Sequence, residues 1–169
     1  ALYPLVNDSK PLEASLETFQ ASYQAQWHAM MASKLGLVEF KPEDAELITA
    51  LESLLTQTET DMTLFHRCLA QPELTVSTFQ PAFYAQELSS DYHAALTAWL
   101  KRYQARLAQD GRSQTARAAA MNAVNPKFVF RNYLAQQAIE LAEAGDFSRI
   151  HSLLDVLRKP YDSQPDHSQ

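Results

Sequence analysis

Apolar side chains recur along most of this chain at steps of three and four residues, the spacing that places them on one face of an α-helix. The first such run starts after Ser9 and Pro11 and stops before Gly36. Because glycine readily adopts the left-handed conformation that often ends a helix, we predict a first helix that ends at Gly36. Its apolar stripe consists of Leu12, Leu16, Phe19, Tyr23, Trp27, Met30 and Leu35.

Two shorter helices are predicted in the next part of the chain. One starts near Pro42, with acidic residues at the positive end of its dipole. Thr60 is expected to cap a second one over residues 61–70. Residues 71–88 are predicted to be irregular, and 75–79 are the candidate for an extended stretch. The buried face of the helix near Pro42 is Leu47, Leu51, Leu54 and Leu55.

A long helix should follow, capped by Ser89 or Ser90 and closed by Gly111. The alanine-rich segment 113–123 is also predicted to be helical. The inward residues of the long helix are Tyr92, Leu96, Trp99, Leu100, Tyr103 and Leu107.

Asn125 and Pro126 form a strong start signal, because asparagine is a good N-cap and proline is tolerated at the first helical position. We expect this helix to stop at Gly145. Asp146 should cap the last helix, which Pro160 ends. The residues expected to be buried are Phe130, Tyr133, Leu134, Ala138 and Leu141 in the first of these helices, and Phe147, Ile150, Leu153, Leu154 and Leu157 in the last.

These patterns predict an all-α fold: a bundle of about six helices in a single domain over residues 1–160, followed by a tail at 161–169. Only three of the 169 residues are glycine. Phosphate-binding and dinucleotide-binding loops need several glycines in one turn, so neither is expected. We find no run of about 18 apolar residues and no signal-peptide pattern, and therefore expect no membrane span. The single cysteine, Cys68, fits a reducing, cytoplasmic compartment.

Charge is unevenly distributed along the chain. The formal net charge is −6, with −9 in residues 1–100 and +3 in residues 101–169. Arg102, Arg106 and Arg117 belong to a basic stretch that could attract phosphate or an acidic partner. Alternatively, the stretch docks on the acidic half of the same chain or is an ordinary solvated face. We favour these alternatives because the overall charge is acidic and aromatic residues are not interleaved with the basic ones.

The sequence contains no recognisable catalytic or metal-binding pattern. None of the five histidines is paired with another His, Cys or carboxylate at metal-ligand spacing. Glu43 and Glu46, like Glu140 and Glu143, lie one helical turn apart, which helix dipoles and solubility explain. Cys68 lies on an apolar helical face, which favours a small buried residue over a nucleophile. We therefore assign no catalytic, cofactor-binding or metal-binding residue to this chain.

One stretch, residues 121–164, carries a specific set of motifs. It contains an Asn-Pro-Lys start, then Arg-Asn-aromatic-Leu-Ala-Gln, then Ala-Ile and Gly-Asp, then a leucine-rich helix and Pro-Tyr-Asp. This resembles the C-terminal signature of the selenoprotein O family. A weaker, collinear similarity extends over the rest of the chain, including residues 60–69. The family-motif residues that we expect to be structural are Asn125, Pro126, Lys127, Arg131, Asn132, Gln136, Gly145 and Asp146.

The resemblance implies a kinase-like fold that transfers AMP from ATP to Ser, Thr or Tyr of protein substrates (AMPylation), with a divalent metal, Mg²⁺ or Mn²⁺. The family's catalytic, phosphate-binding and metal-binding residues would all precede residue 1, so none can be assigned here. This chain would be the C-terminal helical part, supporting the upstream kinase-like catalytic lobe and inactive alone. We expect no nucleic acid and no membrane as partners. The alternative is a free-standing helical protein-interaction module.

The polar motif residues allow two interpretations. If Arg131, Asn132 and Gln136 are buried, they must be hydrogen-bonded, most simply to loop carbonyls or helix ends. They would then form a latch between helices. Alternatively, Arg131 reaches a phosphate or a substrate carboxylate.

Overall fold

The structure, a computed structural model, describes residues 8–165. These residues form seven α-helices, one 3-10 helix and no strand, so the all-α prediction is confirmed with more helices than the six expected. The α-helices are α1 Lys10–Lys34, α2 Asp44–Gln57, α3 Met62–Cys68, α4 Ser90–Ala108, α5 Gln114–Val124, α6 Asn132–Glu143 and α7 Ser148–Leu157, and the 3-10 helix is Val76–Ala82.

One apolar core, built from the end of α1, from α2 to α5 and from the 3-10 helix, occupies the centre of the molecule. Phe65 and Phe79 pack with their ring centroids 4.6 Å apart, and α2 lies against α4. Two of the buried aromatic side chains also have hydrogen-bond partners for their polar atoms. The Trp99 indole N–H donates to the Leu47 carbonyl over 2.8 Å, and the Tyr103 hydroxyl donates to the Leu35 carbonyl over 2.7 Å.

The three glycines follow helix ends, as predicted, with φ values of 70° at Gly36, 64° at Gly111 and 87° at Gly145. Gly36 is required for a second reason. A Cβ atom built there would lie 2.6 Å from Sδ of Met121 in α5, so only glycine lets these two segments approach this closely.

The predicted helix start at Asn125 is wrong. Asn125 is the residue that follows α5, and α6 starts only at Asn132 after an N-cap at Arg131. The peptide N–H groups of Lys127 and Phe128 instead donate to the Pro160 carbonyl, over 2.7 and 3.0 Å. A proline also disfavours helical geometry in the residue before it, which explains why Asn125 has left the helix.

Two local predictions in the middle of the chain also fail. Asp61, not Thr60, caps α3, because its carboxylate accepts from two peptide N–H groups of the first turn. Residues 75–79 are not extended, since the 3-10 helix begins at Val76 and includes Pro81. Thr60 instead forms an isolated antiparallel bridge with Phe83.

Many apolar residues expected to be buried are exposed. In α6 and α7 these residues include Tyr133, Leu141, Ile150 and Leu154, and Phe130 and Phe147 just outside the helices are exposed as well. Only Ala138 and Val156 are buried in this helical hairpin. The reason is architectural: α6 and α7 pack on each other and cover only part of each other's apolar face.

Candidate functional site

The segment 125–131, here called the motif segment, joins α5 to α6 and is held by side chains from distant parts of the chain. Arg67, near the end of α3, is the centre of this arrangement. Its Nη1 lies 3.1 Å from the Asn125 carbonyl oxygen, 3.3 Å from that of Asn122 and 3.4 Å from that of Tyr161. Arg67 therefore ties the end of α5 and the segment after α7 to α3.

Asn125 links the motif segment to the first helix. Its side chain is buried, and Nδ2 donates to the Lys34 carbonyl at the end of α1 over 2.8 Å. The other side-chain atom, Oδ1, is buried without a hydrogen-bond partner among the described residues. The Pro160 carbonyl, accepting from two peptide groups of the motif segment, fixes the opposite side.

Arg131 forms an ion pair with Asp61 through Nη2 and Oδ2. The other oxygen of Asp61, Oδ1, accepts from the N–H groups of Thr63 and Leu64 over 2.9 and 3.1 Å. One carboxylate thus caps α3 and anchors the start of α6. Arg131 is thereby directed to a carboxylate of this chain, and the ion pair neutralises its charge.

The remaining motif residues are more exposed. Asn132 begins α6, and the Gln136 amide donates to Glu140 over 3.1 Å on the solvent side. Asp146 Oδ1 accepts from the Ser148 N–H over 2.8 Å, and this hydrogen bonding lowers the pKa of the Asp146 carboxyl. Lys127 places its ammonium 5.3 Å from the centroid of the Phe128 ring, and Pro126 is half-buried.

A cleft of about 580 Å³ lies where the hairpin meets the core. Its walls include Asp61 and Tyr84 on the core side and Arg131, Gln137 and Arg149 on the hairpin side. The opposite flank of the hairpin carries an almost wholly apolar hollow of about 630 Å³. Neither hollow places a nucleophile beside a base, which is what covalent catalysis requires.

The basic stretch of the second half is not a single surface. Arg106 is buried, with Nε 2.7 Å from Asp44 Oδ1, and it also pairs with Asp110. Its partner Asp110 has a lowered pKa: burial opposes the shift, but the Val38 N–H and Arg106 outweigh it. Arg102 is exposed and lies 3.9 Å from Glu46. Arg102, Arg106 and Arg131 thus pair with acidic residues of the first half of the chain, as one of the alternatives expected.

The pKa values of two titratable side chains of α3 are shifted in the direction that favours the neutral form. Burial lowers the pKa of His66, a hydrogen bond to the Met62 carbonyl opposes this, and Lys34 adds to the lowering. His66 Nδ1 lies 2.7 Å from that carbonyl, so Nδ1 carries the proton. Burial raises the pKa of the Cys68 thiol, which makes Cys68 a half-buried packing residue with little thiolate character.

The described residues do not offer a fit for a nucleotide or a metal. Within 8–165, no three His, Cys, Asp or Glu side chains come together in a way that could hold a metal ion. The three glycines lie separately at helix ends, so they do not form a phosphate loop. No helix of this part of the chain has the length and hydropathy that crossing a membrane requires. We derive no catalytic step from these residues.

Sequence reasoning missed Arg67, Asp61 and Pro160 as the partners of the motif segment. Arg67 and Asp61 do lie within the 60–69 stretch of weaker similarity, so a signal existed. The pairing of Pro160 with Lys127 and Phe128 involves a carbonyl group, which leaves no trace in side-chain patterns.

Comparison with known proteins agrees with the motifs. The family model described as "Protein adenylyltransferase SelO" matches residues 1–158. Similar relatives are named "Protein nucleotidyltransferase YdiU". The one from Xanthomonas campestris pv. campestris (strain 8004) is 47% identical over 170 residues, which is 98% of this chain and 32% of that protein. The one from Rhodopirellula baltica is 44% identical, covering 98% of this chain and 34% of that protein.

A third relative, from Tolumonas auensis, is 44% identical and covers 97% of this chain and 32% of its own length. The chain therefore spans about a third of the length of the curated relatives it matches. Because the family model covers nearly all of this chain, the chain belongs to the protein adenylyltransferase SelO family.

Proposed function

We propose that this chain is the C-terminal helical region of a protein adenylyltransferase, which transfers AMP from ATP to Ser, Thr or Tyr of protein substrates. In this proposal the region is not catalytic. It supports an upstream kinase-like lobe, which holds the ATP and the Mg²⁺ or Mn²⁺ ion. The full-length protein acts in the cytoplasm, without nucleic acid or membrane as partner.

The order of the motifs supports this placement. The Asn-Pro-Lys, Arg-Asn and Pro-Tyr-Asp elements between Asn125 and Asp162 follow the order of the family's C-terminal signature. The observation that carries the supporting role is the use of the motif's polar groups. Asn125 and Arg131 bind Lys34 and Asp61, both of which belong to this chain. Groups engaged in this way hold helices in place and are not free to bind a nucleotide.

The eight motif residues are therefore proposed as structural. Asn125, Lys127 and Arg131 fix the motif segment, and Pro126 keeps it from continuing α5. Asn132, Gln136, Gly145 and Asp146 belong to α6 and to the turn between the two hairpin helices. We likewise propose that residues 1–160 form a single domain followed by a tail at 161–169.

The proposal is tested by incubating the full-length protein and this chain separately with α-labelled ATP, Mg²⁺ or Mn²⁺, and candidate acceptor proteins. The full-length protein should label an acceptor with AMP, and this chain should not. Label deposited by this chain alone would contradict a non-catalytic role. Absence of label with the full-length protein, under conditions in which it is folded, would contradict the activity.

A free-standing interaction module predicts a different result. Charge reversal at Arg102 and Arg117 would then abolish capture of an acidic partner and leave stability intact. Arg106 does not suit that test, because it is buried between Asp44 and Asp110, and its reversal should unfold the chain.

A further inference from the structure

The first helix carries an apolar surface that no described part of the chain covers. Between residues 11 and 26, every side chain except the half-buried Leu12 is exposed. Leu16, Phe19 and Tyr23 are 68%, 67% and 60% exposed, and the Phe19 and Tyr23 rings stack with centroids 6.2 Å apart. We call the surface formed by Leu16, Phe19, Tyr23 and Met30 the α1 stripe.

Most of the α1 stripe lies before the point where the helix reaches the core, although Trp27, which follows the same face, packs half-buried against the core. Where α1 reaches the core, its buried residues are Met31 and Ala32. Met30 lies in line with Phe19 and Tyr23, because an α-helix turns about 100° per residue, and it remains exposed. Met30 thus extends the exposed apolar surface of the stripe up to the edge of the core.

From residue 18 to residue 33 the same helix lacks the charges that an exposed helix normally carries, whereas its first turns contain Lys10, Glu13 and Glu17. Residues 18–33 contain no Asp, Glu, Lys or Arg. Helices that face solvent usually present charged residues on the outer side, whereas the centres of protein interfaces are depleted in charge and enriched in aromatic residues. The polar neighbours of Phe19 and Tyr23, such as Gln20, Gln24 and Gln26, are uncharged. By composition, this part of α1 is typical of an interface.

We infer that the α1 stripe is the surface on which the rest of the full-length polypeptide packs, and that the packing surface is apolar and uncharged. This inference rests on the proposed function, which places the remaining polypeptide ahead of residue 1. The relatives are about three times as long as this chain, which covers 32% of one of them, so a large partner is present in the same molecule. In that placement α1 lies close to the partner along the chain, and tethering favours this contact over one with a second copy.

The test uses the full-length protein with a specific protease site inserted just before Asp8. After cleavage, the two pieces of the wild type should co-elute in size-exclusion chromatography. Phe19→Asp combined with Tyr23→Asp should weaken their association at least tenfold, because two charges would be buried without partners. The matched control, Ala14→Asp with Ala21→Asp, places the same charges on the opposite, exposed side of α1 and should leave the pieces associated.

Folding is checked by circular dichroism before cleavage, and Phe19→Ala with Tyr23→Ala provides a milder variant if the charged one unfolds. The milder variant should also weaken association. Pieces that stay equally associated in all variants would overturn the inference. So would a full-length dimer that the Phe19 and Tyr23 changes split, since the occupant would then be a second copy.

AMP transfer is measured separately on the uncleaved protein. Association that depends on Phe19 and Tyr23 supports the inference even if the wild type transfers no AMP, which would contradict only the proposed activity. If the protein transfers AMP but the two pieces associate equally well with and without the Phe19 and Tyr23 changes, the activity is supported and only the docking surface is overturned.

Discussion

The core and the α6–α7 hairpin consist of amphipathic helices of similar kind, but they bury different amounts of their apolar surface. In the core, Leu96 and Tyr103 are fully buried, and the polar tip of Tyr103 has a partner. In the hairpin, Ile150 and Leu154 remain exposed. An apolar stripe therefore predicts that a helix has a face to cover, but it does not identify what covers that face.

The two regions are joined by polar contacts more than by packing. Arg67, Asn125 and Arg131 connect the motif segment to α1 and α3, and the Pro160 carbonyl connects it to the segment that follows the hairpin. This difference predicts that the core resists unfolding by itself, while the hairpin depends on a few hydrogen bonds and ion pairs.

The largest effect should come from the buried ion pairs of the core. Arg106→Ala leaves Asp44 and Asp110 buried without their cation, which typically costs about 3–5 kcal/mol of unfolding free energy. The free energy is measured by urea denaturation. Arg102→Ala, which removes an exposed arginine from the same helix, should cost less than about 1 kcal/mol. Equal losses in the two variants would contradict the burial of Arg106.

A matched leucine pair compares the two regions directly. Leu96→Ala in α4 should cost about 2–5 kcal/mol, because it opens a cavity in a packed core. Leu154→Ala in α7 should cost about 0.5 kcal/mol or less in this chain, because the side chain is 47% exposed. The measurement is the urea midpoint at constant slope, and a large loss for Leu154→Ala would show that the hairpin face is covered.

The link between the regions should give an intermediate effect. Asn125→Ala removes the donor to the Lys34 carbonyl and should cost about 1 kcal/mol, since the unpartnered Oδ1 atom is removed as well. Gln136→Ala removes only an exposed contact with Glu140 and should cost less than about 0.5 kcal/mol. Thermal unfolding followed by circular dichroism gives both values, and an unchanged midpoint for Asn125→Ala would contradict the link.

The smallest effect is a pH dependence from His66 in the core. Its folded pKa is below the ordinary value of about 6.5, so the unfolded chain binds more protons in that range. Stability should therefore be full above pH of about 6.5 and fall as pH drops toward the folded pKa, by at most about 1.4 kcal/mol per pH unit. His66→Gln should flatten this slope relative to the wild type in urea denaturation between pH 5 and 7, and an unchanged slope would exclude His66 as its source.

Periodicity and glycine positions predicted most of the helices and their ends. The stops at Gly36, Gly111 and Gly145 follow from local backbone preferences, which sequence reports well. The predicted helix start at Asn125 is wrong because the Asn125 side chain binds the distant Lys34 carbonyl instead of capping a helix. The residues next to Asn125 in the sequence carry no information about this long-range contact. For the same reason, the sequence alone leaves two alternatives for the partner of Arg131: a group of this chain, or a phosphate or substrate carboxylate.

The family could be inferred from the sequence, because the motifs between 125 and 162 are specific. The contacts of those motifs could not be inferred from the sequence. Arg67 binds three peptide carbonyls, and every residue has such a group, so no side-chain pattern indicates which ones are bound. Burial of the hairpin was over-predicted, because an apolar stripe does not identify what covers it, and this chain spans only about a third of the length of the relatives it matches.

The most direct test of this account is amide hydrogen exchange, compared between this chain and the full-length protein. We predict equal, slow exchange in α2 and α4 in both, because their core is complete. Residues 10–26 of α1 and the α6–α7 hairpin should exchange fast in this chain, and the α1 residues should become protected in the full-length protein. Equal exchange of residues 10–26 in the two proteins would contradict the central claim, which is that the core is stable by itself and that the rest of the full-length polypeptide covers the exposed surface of α1.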